Sequence, residues 1–188
     1  MEIIRPHPPP GAPTVRLGIL MTAFIVLVAG FGASRTSAFQ WFLLRASLQK
    51  QFPEVQWITT RELAGWLEDQ HRPAPVLLDV RTVEEWGVSH LPGARRVDPR
   101  ASAEMALPGA GRDVPVVTYC AVGYRSAELA TRLRAAGFTH VQNLDGSIFR
   151  WANEHRPLVH EGAPASHVHP YNKFWGRLLA DDVRARYN

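Results

Sequence analysis

The sequence predicts an α/β domain with a mainly parallel central sheet flanked by helices, preceded by a hydrophobic N-terminal helix. Two observations carry the sheet. From about Val55 onward, short apolar runs alternate with stretches of helical spacing, the pattern of strand–helix units. Two of these runs, Val76-Leu77-Leu78-Asp79-Val80 and Val114 to Tyr119, are nearly continuous in apolar residues. Strands covered on both faces read that way, whereas half-exposed strands alternate. A third observation carries the N-terminal helix: 18 uncharged residues, Leu17 to Ser34, lie between Arg16 and Arg35.

Taken in order, residues 1–16 open with Pro6, Pro8, Pro9, Pro10 and Pro13, which favour extended chain. As a helix, residues 17–34 would span roughly 27 Å, enough for the hydrocarbon core of a bilayer. The length favours a retained signal anchor over a cleaved signal peptide, for which Thr36-Ser37-Ala38 offers small residues. Trp41 and Phe42 suit an interface belt, and the nearly balanced basic flanks leave the side of the membrane open. Residues 35–54 read as an amphipathic linker helix that presents Phe39, Phe42, Leu43 and Leu48 to the membrane or to the domain and stops at Pro53.

The globular region follows. Gln56-Trp57-Ile58 is a short strand, and Thr59 to Glu62 has capping-box spacing before Leu63, Trp66 and Leu67. After the strand at Val76–Val80, a short helix starts at Thr82-Val83-Glu84-Glu85-Trp86, Pro92-Gly93 turns the chain, and Ala94 to Val97 is a short strand. A short helix lies around Ala101–Ala106. The strand ending at Tyr119 leads into Cys120, and Ser126 is placed to cap a helix carrying Leu129, Ala130, Leu133 and Ala136 that stops at Gly137. A strand at His140–Leu144 and a short helix at Gly146–Glu154 complete the unit.

Composition excludes several classes. With 46% hydrophobic and 20% charged residues, the chain is not broadly disordered. The net charge of +4 invites a nucleic-acid reading, but residues 1–50 hold Arg5, Arg16, Arg35, Arg45 and Lys50 against Glu2 alone. The other 138 residues carry sixteen basic and sixteen acidic side chains, so no excess charge is left for a phosphate-binding face. The one cysteine excludes an intramolecular disulfide and a cysteine-rich zinc site.

That cysteine, Cys120, stands at the C-terminal end of a buried strand, the edge where open α/β sheets bind ligands. The segment Ala121-Val122-Gly123-Tyr124-Arg125-Ser126 follows it. Gly123 permits a positive φ, so the loop can curl its N–H groups onto the sulfur. A helix N-terminus and the full charge of Arg125 add positive potential. All of these favour an anion on the Cys120 sulfur.

With these residues in view, the sequence resembles the rhodanese-like domain family. Leu77-Leu78-Asp79-Val80-Arg81 resembles its first signature. Glu84-Glu85-Trp86 with Ser89-His90-Leu91-Pro92-Gly93-Ala94 resembles its second. Val117-Thr118-Tyr119-Cys120 with Gly123, Arg125 and Ser126 looks like its active-site loop. Gly137-Phe138, Val141 to Gly146 and Trp151 resemble its C-terminal signature.

The resemblance covers residues 55–160 and implies a three-layer rhodanese-like fold. It implies sulfur transfer through a Cys120 persulfide: Cys120 catalytic, residues 121–126 the persulfide-binding loop, Asp79 and Arg81 supporting. The donor would be a small sulfur compound or a protein persulfide, the acceptor a thiol or cyanide, with no metal and no organic cofactor. A membrane-tethered docking or redox-sensing module on the same fold is the alternative. Cell-cycle-type phosphatases, which are similar, place five residues between cysteine and arginine. Here four separate Cys120 from Arg125, a smaller loop that suits one sulfur atom. Thiosulfate-specialised members of the family often carry more cationic loops, whereas Ala121, Val122 and Tyr124 are neutral, so the resemblance implies that thiosulfate is a poor or surrogate donor. Arg81 could also reach an anionic substrate.

The tail, residues 161–188, is aromatic and apolar and is expected to pack on the domain, the N-terminal helix or the bilayer, or to dock a partner. His160, His167 and His169 lack an evident acidic or cysteine partner for a metal.

Overall fold

The computed structural model describes residues 37–186. The apolar stretch at residues 17–34 lies outside them, and among the described residues no helix is long and apolar enough to cross a membrane. The chain divides into two compact units, Met1–Gln40 and Trp41–Asn188; of the first, only the opening turn of helix α1 is described.

Helix α1 spans Ser37–Gln51 and stops before Pro53, whose ring cannot continue it. Its buried stripe is Trp41, Leu44 and Leu48, at helical spacing. Of the expected apolar face Leu48 is buried, whereas Phe42 is 64% exposed and Phe39 is also exposed. The interface-belt expectation for Trp41 does not hold. Its indole is buried in the domain, under the Arg150 guanidinium at 5.2 Å. Arg45 adds an ion pair to Asp145 at 3.2 Å.

Five strands form one parallel sheet: β1 (Gln56–Ile58), β2 (Val76–Asp79), β3 (Arg95–Arg96), β4 (Val116–Tyr119) and β5 (Val141–Leu144). Their spatial order is β1-β5-β4-β2-β3. The central strands β2 and β4 pair from Val76 opposite Val116 to Asp79 opposite Tyr119. Every residue of β4 is buried, which is why its sequence shows no alternation.

The helices between strands follow their local signals. Helix α2 (Thr60–Glu68) opens with the Thr59–Glu62 capping box, Glu62 N–H donating to Thr59 Oγ1 at 3.2 Å and Thr59 N–H to Glu62 Oε2 at 2.9 Å. Helix α3 (Val83–Val88) repeats the device with Thr82 and Glu85. Helix α4 (Ala103–Ala106) is one turn.

Helix α5 (Tyr124–Ala135) buries Leu129, Ala130 and Leu133 and packs on β4 and β5. It ends in a Schellman motif: Phe138 N–H reaches the Leu133 carbonyl, and Gly137 N–H, at φ +92°, that of Arg134. Helix α6 (Ser147–Asn153) buries Ile148, Phe149 and Trp151.

The chain after α6 folds back. Strands β6 (Leu158–His160) and β7 (Ala163–Ala165) form a hairpin, which meets the domain through reciprocal His90–Val159 backbone bonds of 2.9 Å. Ser89 Oγ donates to the His167 carbonyl at 2.6 Å. Asn153 receives the Ala180 N–H at 2.9 Å and donates to the Leu178 carbonyl at 2.7 Å. The tail thus packs on the domain, through a short 3₁₀ helix at Trp175–Leu178.

Because the strands are parallel, their C-terminal ends share one edge. From β2 the chain runs outward through α3 to β3; from β4 it runs the other way through α5 to β5. The crevice where connections diverge lies at Cys120. Asp79 and Arg81 close the neighbouring end of β2. Arg81 Nε and Nη2 donate to the Asp79 carboxylate at 2.7–3.0 Å, and Nη2 also donates to the Ser89 carbonyl. Both side chains are wholly buried. Removing one partner strands the other charge, so Asp79→Ala should cost about 3–5 kcal/mol in urea denaturation. A loss under about 1 kcal/mol contradicts this reading of the pair.

Candidate active site

The sheet edge presents Cys120 directly after β4, and the following turn wraps around its sulfur. Gly123 N–H donates to Cys120 Sγ at 3.1 Å. This is possible because Gly123 holds φ +111°, a conformation that side-chain-bearing residues rarely adopt. There is room for a methyl group here: a Cβ would lie 3.4 Å from Leu48 and 3.5 Å from Trp57. Backbone conformation, not crowding, calls for glycine.

Gly123 is itself the N-cap of α5, which starts at Tyr124. Ser126 is therefore not the cap but a first-turn residue, wholly buried. Its Oγ has no hydrogen-bond partner among the described residues. The early start places Cys120 closer to the positive end of the helix than a Ser126 cap would.

The loop is pinned from beneath. Asn143 Nδ2 donates to the Gly123 carbonyl at 2.8 Å, and Asn143 Oδ1 accepts from Thr118 Oγ1 at 3.1 Å. Cys120 N–H donates to Ser147 Oγ at 3.2 Å, and the N–H groups of Ile148 and Phe149 bond the carbonyls of Cys120 and Ala121 at 3.2 Å. From the side, α1 supplies Leu48 near Gly123, Gln51 bonding the Tyr124 hydroxyl at 3.3 Å, and Phe52 beyond its end, edge-on to the Tyr124 ring. Cys120, Ala121 and Val122 are all buried, Cys120 to 1% exposure.

Arg125 does not stand free. Nη1 and Nη2 bond the two oxygens of Glu85 at 2.7 and 2.8 Å, and Glu85 Oε2 also receives the Thr82 N–H at 3.0 Å. Burial, the largest single influence, works against the charge on both groups, and their mutual hydrogen bond together with the attraction of nearby charges outweighs it. Together these hold the Glu85 carboxyl below its ordinary 4.5 and Arg125 above its usual range. The positive charge expected beside the sulfur is thus paired with Glu85, while it still interacts with Cys120. Above Arg125 lies the Tyr171 ring, 4.7 Å from the guanidinium.

The residues singled out in sequence therefore occupy two layers. Cys120 to Ser126 form the loop and its helix cap. Asp79 and Arg81 sit at the end of the adjacent strand, and Arg81, with 0% exposure, reaches no solvent-borne anion. Glu85, Asn143, Ser147 and Tyr171 escaped the sequence reading of the site. Only Glu85 carried a local signal, its capping-box distance from Thr82. Among the described residues no group of three or more metal-ligating side chains gathers. The Nδ1 atoms of His167 and His169 meet Ser166 Oγ and the Tyr171 N–H, respectively.

A family model for the rhodanese-like domain matches residues 59–154, just over half of the chain. This chain belongs to the rhodanese-like domain family. The probable adenylyltransferase/sulfurtransferase MoeZ of Mycobacterium tuberculosis is 36% identical over 102 residues, 53% of this chain and 25% of that protein. Its rhodanese-like match thus spans about a quarter of that relative's length. The thiosulfate sulfurtransferase GlpE of Pseudomonas putida is 29% identical over 97 residues, 52% of this chain and 87% of that protein. Among solved structures, the Alr3790 protein from Anabaena aligns with a TM-score of 0.51 at 25% identity, over 55% of this chain and 91% of that one.

The Glu85 shift has a measurable consequence. A carboxyl held below its unfolded value stabilises the fold above that value and loses the contribution as pH falls through the folded one. Urea denaturation of wild type and Glu85→Gln should show a stability gap that is constant near neutrality and narrows once pH falls below 4.5. A gap independent of pH contradicts the ion-pair assignment.

Proposed function

We propose that this chain is a sulfurtransferase that carries sulfur as a persulfide on Cys120. The observation that carries the reading is the Gly123 N–H aimed at Cys120 Sγ from 3.1 Å, at the N-terminus of α5. In the first half-reaction the Cys120 thiolate attacks the outer sulfur of a donor. The Cys120 S–S bond forms, the donor's S–S bond breaks, and the donor's remaining sulfur leaves with the electron pair. In the second, a thiol or cyanide attacks the outer sulfur and Cys120 returns as thiolate. Loop N–H groups stabilise the anionic sulfur in both, much as an oxyanion hole does for oxygen.

Two further features support this reading. With Cys120 at 1% exposure, the donor must present a slender group such as a single terminal sulfur. The 188 residues contain no second cysteine, so the persulfide is discharged to an external acceptor rather than resolved as a disulfide. The steps need no metal and no organic cofactor. The partners are accordingly a small sulfur donor or a protein persulfide, and a thiol acceptor. Residues 17–34 would hold the three-layer domain at a membrane as a signal anchor, on the length argument alone.

The test uses the full-length chain in isolated membranes. Treated with a sulfur donor, wild type should gain the mass of one sulfur atom at Cys120 and release thiocyanate on addition of cyanide. Cys120→Ser should do neither, and both proteins should sediment with the membranes. Absence of added sulfur with thiosulfate and with an organic persulfide alike contradicts the proposal.

A further inference from the structure

The loop from Cys120 to Ser126 contains a single charged side chain, Arg125, which one residue far off in sequence pairs and another covers. Glu85, 40 positions before, takes both guanidinium ends with a carboxylate that is 1% exposed. Little water is left to screen this pair, so the two charges offset each other where a substrate would meet them. Tyr171, 46 positions after, lays its ring over the same guanidinium at 4.7 Å. Arg81 beyond the neighbouring strand is fully buried and committed to Asp79.

Tyr171 is held there rather than resting there. It adopts φ +63°, a left-handed conformation uncommon outside glycine, and its N–H donates to His169 Nδ1 at 3.0 Å. Strain of this kind persists where the surroundings fix it. The tail segment bearing Tyr171 is anchored on both sides, at Ser89 through the His167 carbonyl and at Asn153 through Ala180.

We propose that Glu85 and Tyr171 make the Cys120 site discriminate against dianionic sulfur donors in favour of neutral or singly charged organic persulfides. The inference rests on the sulfurtransferase reading above and adds its substrate class. With thiosulfate, a dianion meets the Cys120 thiolate, and the step yields the anionic persulfide and sulfite, itself a dianion. Three negative charges then share a site whose one cation is already paired with Glu85. With an alkyl hydropersulfide, the thiolate takes the outer SH, the S–S bond breaks, and an alkyl thiolate leaves. One negative charge is present before and after. Backbone N–H groups stabilise a single anion well, but partial charges cannot compensate three.

The discriminating measurement is kcat/KM for thiosulfate and for cysteine hydropersulfide, each with cyanide as acceptor, using the full-length protein. Wild type should favour the hydropersulfide. Glu85→Gln keeps the cap to Thr82 but frees the Arg125 charge, and should shift the ratio toward thiosulfate by about tenfold. Tyr171→Ala should shift it the same way by about threefold, and Tyr171→Phe should restore the wild-type ratio. The Tyr171 pair decides the matter should Glu85→Gln fail to fold.

Unchanged ratios in Tyr171→Ala and Glu85→Gln, or a wild type that favours thiosulfate, overturn the inference while Cys120 still loads sulfur. If Cys120 loads sulfur from neither donor, the sulfurtransferase reading fails first and this one with it.

Discussion

The backbone of Gly123 meets three demands at once. Its N–H points at the Cys120 sulfur, its carbonyl accepts both the Asn143 amide and the Ala127 N–H, and its φ of +111° lets the chain pass from loop to helix in one residue. The rest of the site is arranged around that geometry. Thr118 and Asn143, on neighbouring strands, fix the loop from below. Leu48 and Trp57 close around Gly123 without crowding it. A residue bearing Cβ would have to hold the same strained φ or surrender the N–H···S contact.

Backbone dipoles and the Arg125 charge both act on this sulfur. Arg125, the obvious electrostatic partner in the sequence, is also structural. It joins α3 to the start of α5 through Glu85, whose second role is to complete the Thr82 cap. One carboxylate thus settles the start of α3, the position of Arg125 and the net charge of the loop. Partial charges on oriented N–H groups stabilise a single sulfur anion without collecting bulk anions, which suits a site whose sulfur is almost wholly buried.

Much of this was legible in the sequence, for identifiable reasons. Strand β4 declared itself because burial on both faces removes alternation. Helices α2 and α5 were readable from the Thr59–Glu62 spacing and from Gly137, since capping is local chemistry. The loop at Cys120 was readable because a glycine three residues after a cysteine has few other uses at a strand end. The start of α5 was misread, because Ser126 is a good cap by composition and Gly123 won by conformation. The face of α1 was legible only at Leu48, for a different reason. Phe39, Phe42 and Leu43 look as apolar as Trp41 and Leu44, and only the domain surface and Arg150 decide which stripe is buried. Glu85 and Tyr171 became visible as site residues only once distant segments met, and no periodicity encodes that.

The central claim is that loop N–H groups, Gly123 foremost, hold the anionic sulfur on Cys120. The Gly123 amide proton reports it directly in a nitrogen–proton correlation spectrum recorded as Cys120 is loaded with sulfur from an organic persulfide and then discharged with cyanide. The account predicts that the Gly123 resonance moves downfield on loading, further than amides outside the loop, and returns on discharge. A Gly123 resonance that stays in place while mass spectrometry shows sulfur on Cys120 would contradict it.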